Sequence, residues 1–154
     1  MLADLAKKHE NLAAVKYSTQ SIRDLYDMAT ADTDLAFYVV DSGYEYASLF
    51  GDMGLISSFI AVDSARVWDF FKAGQAKDYP KLIKMARFIR ELSDALVKNV
   101  DLTRIDSAYD KAFVRFANPA FPSRLYPPYE GMNDADFMAM SNAMKLVLNK
   151  YSEG

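Results

Sequence analysis

NLAAVKYS, residues 11–18, places a lysine near the end of a short apolar run. Leu12, Ala13, Ala14 and Val15 precede Lys16, and Tyr17 follows it. Successive side chains of a strand point to opposite faces, so Leu12, Ala14 and Lys16 fall on one face and Ala13, Val15 and Tyr17 on the other. A strand is therefore expected over 12–16, with Lys16 on the same side as small apolar neighbours. Two readings of this lysine follow. At a strand end its stem can lie along apolar surface while the ammonium snorkels to water. In a dry pocket, burial disfavours the ammonium, and the neutral amine can attack a carbonyl and form a Schiff base.

Outward from this stretch the pattern switches between helical and extended periods. Leu2, Leu5 and Ala6 recur at helical spacing, which predicts a short helix over 2–9. Ser21 can cap a second helix in which Ile22, Leu25, Tyr26 and Ala29 share a stripe. LAFYVV, residues 35–40, is β-branched and aromatic without polar alternation, as expected of a parallel strand covered on both faces. It stops at Asp41-Ser42-Gly43, a short helical piece is expected over 46–50, and LISSFIAV, residues 55–62, reads as a third strand. The resulting α-β-α-β-α-β order points to parallel βα units.

The remainder is helical. Asp63 or Ser64 can cap a helix through Ala73 with Val67, Trp68 and Phe71 on its apolar stripe. Asp78 starts a longer helix with Pro80 in its first turn, where a missing N–H is harmless, and Leu82, Ile83, Ala86, Ile89, Arg90 and Ser93 are expected along its packed stripe. A helix over 106–117 follows. Residues 118–131, NPAFPSRLYPPYEG, hold four of the five prolines and predict an ordered, extended connection. Asn133 caps a last helix with Phe137, Met140, Met144 and Val147 inward.

The 154 residues, 51% hydrophobic and 25% charged, suit one globular domain able to bury its own core. A formal charge of −3 with scattered Lys and Arg gives no basic field for nucleic acid. No cysteine is present, which removes disulfides, thiolate nucleophiles and zinc-thiolate sites. His9 is the single histidine, too few for a multi-histidine metal site, and neither metal nor cofactor is expected. The N-terminal residues lack the apolar core of a signal peptide. Every apolar stretch falls short of the roughly 20 residues a membrane span needs. No membrane association and a cytoplasmic location are the expectations.

Besides Lys16, several groups could carry chemistry. Gly43 would let a carboxylate or carbonyl approach backbone amides, although Asp41-Ser42-Gly43 also reads as a plain strand-to-helix turn. Ser57 and Ser58 could bond a ligand or bond locally. Arg115 and Arg124 flank the proline-rich segment and could clamp a carboxylate, or pair with acids at the surface.

Three motifs in order give these parts a common reading. VKYS at 15–18, DSGYE at 41–45 and GLISS at 54–58 resemble the sixth, seventh and eighth strand ends of the pyruvate-dependent class I aldolases, the dihydrodipicolinate synthase and N-acetylneuraminate lyase family. AYDKAFVRFANPAFPSRLYPPYEG, residues 108–131, is similar to that family's tail, so the resemblance spans essentially the whole chain. It implies an α/β fold, part of a (β/α)8 TIM barrel: strands 6–8 with their helices over 1–75, then a C-terminal three-helix extension over 76–154. Lys16 would be the Schiff-base lysine, and Gly43 and Ile56 would line the site near the bound keto acid. The implied activity is a carbon–carbon lyase acting on pyruvate or a related 2-keto acid, without cofactor. The family's first five strands have no counterpart in this sequence. This chain by itself is accordingly expected to be inactive, with a second copy or a complementing N-terminal half-barrel as its partner. An inactive barrel remnant or oligomerising interaction module is the alternative, and an unrelated small α/β binding protein, with Lys16 merely structural, is a third reading.

Overall fold

The structure, a computed structural model, describes residues 2–152. The side chain of Leu2, part of the first helix's apolar spacing, lies outside the described residues, as do Met1, Glu153 and Gly154. The chain forms two compact units, Met1–Ser57 with Asp69–Ala86, and Ser58–Trp68 with Arg87–Gly154.

In the first unit helix α1 (Leu2–Lys8), strand β1 (Ala14–Tyr17), α2 (Ile22–Ala29), β2 (Ala36–Val40), α3 (Asp41–Phe50) and β3 (Gly54–Ile56) alternate along the chain. The strands form a parallel sheet in the order β1-β2-β3. Parallel neighbours need a crossover, and α2 and α3 supply the two crossovers. Ser21 starts α2 as expected, its Oγ accepting from the Asp24 amide. The stripe then buries Leu25 and Met28, while Ile22 and Tyr26 stay more than half exposed. Helix α3 begins directly at Asp41, five residues earlier than the sequence suggests. Gly43 permits this early start, since a Cβ there would stand 2.5 Å from the Thr19 carbonyl oxygen after β1. Tyr44 locks the helix in place: its ring is buried edge-on against Phe70 with centroids 5.1 Å apart, and its hydroxyl donates to the Phe71 carbonyl at 2.7 Å. Lys77 closes the other end of α3, donating from Nζ to the Ser48 carbonyl at 2.7 Å.

The sheet departs from expectation in two ways. Val39 is completely buried, yet Tyr38 and Ala36 on the opposite face of β2 are exposed, so the strand is covered on one side instead of two. The third strand ends at Ile56, and residues 58–61 turn as a 3₁₀ helix in which the amides of Val62 and Asp63 both reach the Phe59 carbonyl. Hydrophobicity alone does not distinguish a strand from a tight helical turn that also buries an aromatic ring.

The second unit contains the 3₁₀ turn Ser58–Ala61, the first residues of α4 (Ser64–Gln75), most of α5 (Tyr79–Val97), α6 (Asp106–Ala117) and α7 (Asp134–Ser152). Phe59 packs on Phe113 of α6 with ring centroids 5.1 Å apart, and Ser58 Oγ donates to Asp110 at 2.7 Å. Asp63 caps α4 by accepting from the Arg66 amide. Arg66 also pairs with the Asp63 carboxylate, donates to the Tyr151 carbonyl at 2.7 Å, and lies over the Phe88 ring. Asn133 Oδ1 accepts from the Asp136 amide at 2.8 Å and starts α7, whose Met140 and Met144 are fully buried.

The packed faces of two helices are rotated from the expected ones. Helix α4 buries Val67, Phe70 and Ala73 while Trp68 is 53% exposed. Helix α5 buries Leu82, Met85, Ala86, Phe88, Ile89 and Leu92, leaving Ile83 and Arg90 outside. No helix among the described residues is long and apolar enough to cross a membrane.

Two stability tests follow. Gly43→Ala sets a methyl against an immobile backbone carbonyl and should cost about 1–3 kcal/mol in urea unfolding. Arg66→Lys should recover little of the loss caused by Arg66→Ala, since an ammonium cannot span the carboxylate, the carbonyl and the ring together; equal midpoints for Arg66→Lys and the parent chain would contradict this.

Candidate functional site

The register fixes what stands beside Lys16. Lys16 pairs with Tyr38, and Tyr38 pairs with Gly54, so these three form one row across the sheet. Side chains of in-register neighbours leave the same face. The row below is Ala14 and Ala36, and the row above includes Val40 and Ile56. This face is open: Ala14, Lys16, Ala36, Tyr38 and Ile56 are all exposed. It is also the face that carries no long apolar side chain in its lowest row, which leaves room above the two alanines.

Lys16 and Ile56 thus share a face near the C-terminal ends of the strands, separated by β2. Strand spacing and rise put their backbones roughly 12 Å apart. Gly43 is not on this face. It is buried in the first turn of α3 against Thr19, so close backbone packing accounts for its lack of a side chain. Arg115 pairs with Asp134 at 2.8 Å and lies over Phe137 in the second unit, which is the surface-pairing reading of that residue. Arg124 offers its carbonyl to Lys111 Nζ at 2.6 Å.

Asp41 is a group whose ionisation sequence reading passed over. It follows β2 directly, as Ser57 follows β3, and extending the register by one residue sets the two side by side. Asp41 Oδ1 and Ser57 Oγ are both buried and neither has a partner in hydrogen-bonding geometry. Burial raises the Asp41 carboxyl from 3.8 to about 6, opposed by the nearby Ser57 hydroxyl and then by its own backbone amide. The signal in the sequence was an acid placed without spacer after five apolar residues, AFYVV.

At the other end of the strands a cleft of about 240 Å³ is lined by Met28, Leu35, Tyr38, Met53 and Gly54 among others. Its one charged lining residue, Asp52, faces Lys77 at 3.4 Å. No group of three or more potential metal-ligating side chains lies together among the described residues.

The parallel sheet with its crossover helices defines a mixed α/β fold. Among solved structures, the wild-type sialic acid aldolase of Ruminococcus gnavus superposes with a TM-score of 0.74 at 14% identity. The match covers 97% of this chain and 50% of that one, so this chain spans about half the length of the aldolase it matches. The similarity supports the aldolase resemblance at the level of the fold. No protein-family model and no curated protein sequence matches the chain.

The Asp41 carboxyl provides a pH test. Its proton is held more tightly in the folded than in the unfolded chain, so the associated stability is complete below about pH 4 and is lost as pH rises through about 6. A rise from 3.8 to about 6 corresponds to about 3 kcal/mol. Asp41→Asn should therefore be more stable than the parent at pH 8, by up to that amount, and should lose its advantage near pH 4. Parallel unfolding curves for the two proteins across this range would contradict the assignment.

Proposed function

We propose that this chain is the C-terminal part of a Schiff-base aldolase built on a (β/α)8 barrel, acting on pyruvate or a related 2-keto acid, with Lys16 as the nucleophile. The observation that carries the reading is the placement of Lys16 on the bare face of a parallel sheet, near its C-terminal edge, in a fold that superposes on half of a sialic acid aldolase. Side chains at the C-terminal ends of parallel barrel strands are where such folds carry their chemistry.

The chemistry follows from the amine. Neutral Lys16 Nζ adds to the keto carbon, the resulting carbinolamine loses its oxygen as water, and the imine withdraws electrons from the adjacent carbon. That carbon can then lose a proton and form or break a bond to an aldehyde. Three strands cannot close a barrel, and Lys16 is exposed here. In open water an ammonium is well hydrated and a poor nucleophile, so the chain by itself should turn over slowly or not at all. A partner that covers the inner face, a second copy or a complementing N-terminal half-barrel, would supply the missing desolvation.

The second reading is a catalytically inactive remnant or an oligomerising interaction module. It is favoured by one observation: the outer edges of β1 and β3 have no strand partner among the described residues, while Tyr17, Tyr38 and Ile56 remain exposed.

Trapping separates the two. In a barrel completed by a complementing N-terminal half, pyruvate with cyanoborohydride should leave one reduced pyruvate on Lys16, found by peptide mass mapping and absent from Lys16→Ala. Modification spread evenly over the exposed lysines, or none on Lys16, would overturn the aldolase reading. A defined oligomer by light scattering that traps no pyruvate would favour the module.

A further inference from the structure

We propose that two copies of this chain associate through the outer face of α2 and α3, on the side of the sheet away from Lys16. The two helices approach closely there: a Cβ at Gly51, just after α3, would stand 3.3 Å from the Ala29 Cβ at the end of α2. Tyr26 and Phe50 meet edge to face with ring centroids 5.6 Å apart. Neither ring is taken into the core. Tyr26 is 52% and Phe50 36% exposed, and Ile22 and Leu49 are each more than half exposed. Ile22 lies one turn before Tyr26 on α2, and Leu49 adjoins Phe50 on α3, so the four make one apolar patch across both helices.

Packing within the unit does not account for this patch. Leu25 and Met28 already bury the inward stripe of α2, and one such stripe is what an amphipathic helix needs to sit on a sheet. Ile22 and Tyr26 form a second stripe that faces water. Large aromatic and aliphatic side chains present roughly 150–250 Å² each when fully exposed, so these four leave on the order of 400 Å² of apolar surface in water. That lies within the range of about 300–600 Å² for the largest patch on a typical monomer, which is often functional. With its polar flank the face approaches the roughly 800 Å² per partner of a specific interface.

The charges on that flank identify the occupant as a second copy. Arg23 and Asp27, four residues apart on α2, are both exposed, and neither side chain has a hydrogen bond or ion pair among the described residues. A two-fold contact sets residue i against j and j against i. Where two copies of α2 cross antiparallel at the level of Leu25, Arg23 of each stands opposite Asp27 of the other, and every charge on the flank is matched. A flank with one charge of each sign, placed evenly about the centre of the stripe, complements its own image; a foreign partner of opposite charge would call for a single sign. Since α2 and α3 cover the face opposite Lys16, this association leaves Lys16 open and is independent of the aldolase reading.

Sedimentation equilibrium of the full chain over roughly 1 µM to 1 mM should show a reversible dimer. Arg23→Asp or Asp27→Arg alone sets like charges opposite each other twice in each dimer and should raise the dissociation constant at least about tenfold. The doubly exchanged Arg23→Asp/Asp27→Arg chain restores the match and should return to within about threefold of the parent. Leu49→Glu tests the apolar part from the other helix and should also weaken the dimer at least about tenfold, whereas Ile56→Glu, on the Lys16 face, should change it less than about threefold. Circular dichroism and urea unfolding of each variant separate lost association from lost folding, and the recovery in the double exchange is a result that unfolding cannot mimic. A chain that stays monomeric throughout overturns the proposal. So does a double exchange no tighter than the single ones, or a dimer abolished by Ile56→Glu and kept by Leu49→Glu.

Discussion

The in-register pairing of β1, β2 and β3 is the constraint from which the first unit follows. With a side-chain period of two, the pairing of Lys16, Tyr38 and Gly54 decides which residues meet the helices and which do not. A slip of β1 by one residue would turn Lys16 toward the helices and Val15 outward, setting an unpaired ammonium in an apolar layer. The completely buried Val39 in the central strand, with Leu25, Tyr44 and Ala47 also fully buried in α2 and α3, opposes any such slip. Register and helix packing therefore enforce each other.

The same geometry explains why one face of the sheet is bare. Crossovers between parallel strands are right-handed, so successive helices in one direction of strand order fall on one side. Strands added in the order β1-β2-β3 keep α2 and α3 together on that side and send none to the other. In a closed barrel the second face becomes an interior filled by side chains from all around. Here it carries Lys16 and the exposed Tyr38 and Ile56.

Much of this was legible. The capping residues Ser21 and Asn133 accept the amides that their spacing to the following helix required. The helix over 106–117 follows from local periodicity, and the parallel sheet from the alternation of helical and extended segments, which supplies the crossovers that parallel strands need. What was not legible depends on partners distant in sequence. The LAFYVV run looks buried on both faces because its composition records an apolar environment without saying which side supplies it. Hydrophobicity alone points Trp68 and Ile83 inward, yet the neighbours of α4 and α5 select Phe70 and Met85 by position around the helix. The missing side chain of Gly43 answers to the Thr19 carbonyl, twenty-four residues away. Asp41 gave no hint of its unpartnered burial, because a strand end beside it is indistinguishable in sequence from one in water.

Asp41 and Lys16 stand near the same end of the sheet in opposite conditions, and the difference bears on what a covering partner would do. Asp41 is largely buried, its carboxyl raised to about 6 by burial within the unit itself. Lys16 lies in water. On the aldolase reading, covering the open face would strip water from Lys16 and favour the amine that adds to a carbonyl. Desolvation of the ammonium is unfavourable, so its cost would have to be met by apolar contact made with Tyr38, Ile56 and the alanines of the lowest row. Those exposed apolar groups surround the one charged side chain in the described part of that face. On the reading proposed above, the apolar contact that would hold a covering partner therefore surrounds the lysine it would desolvate.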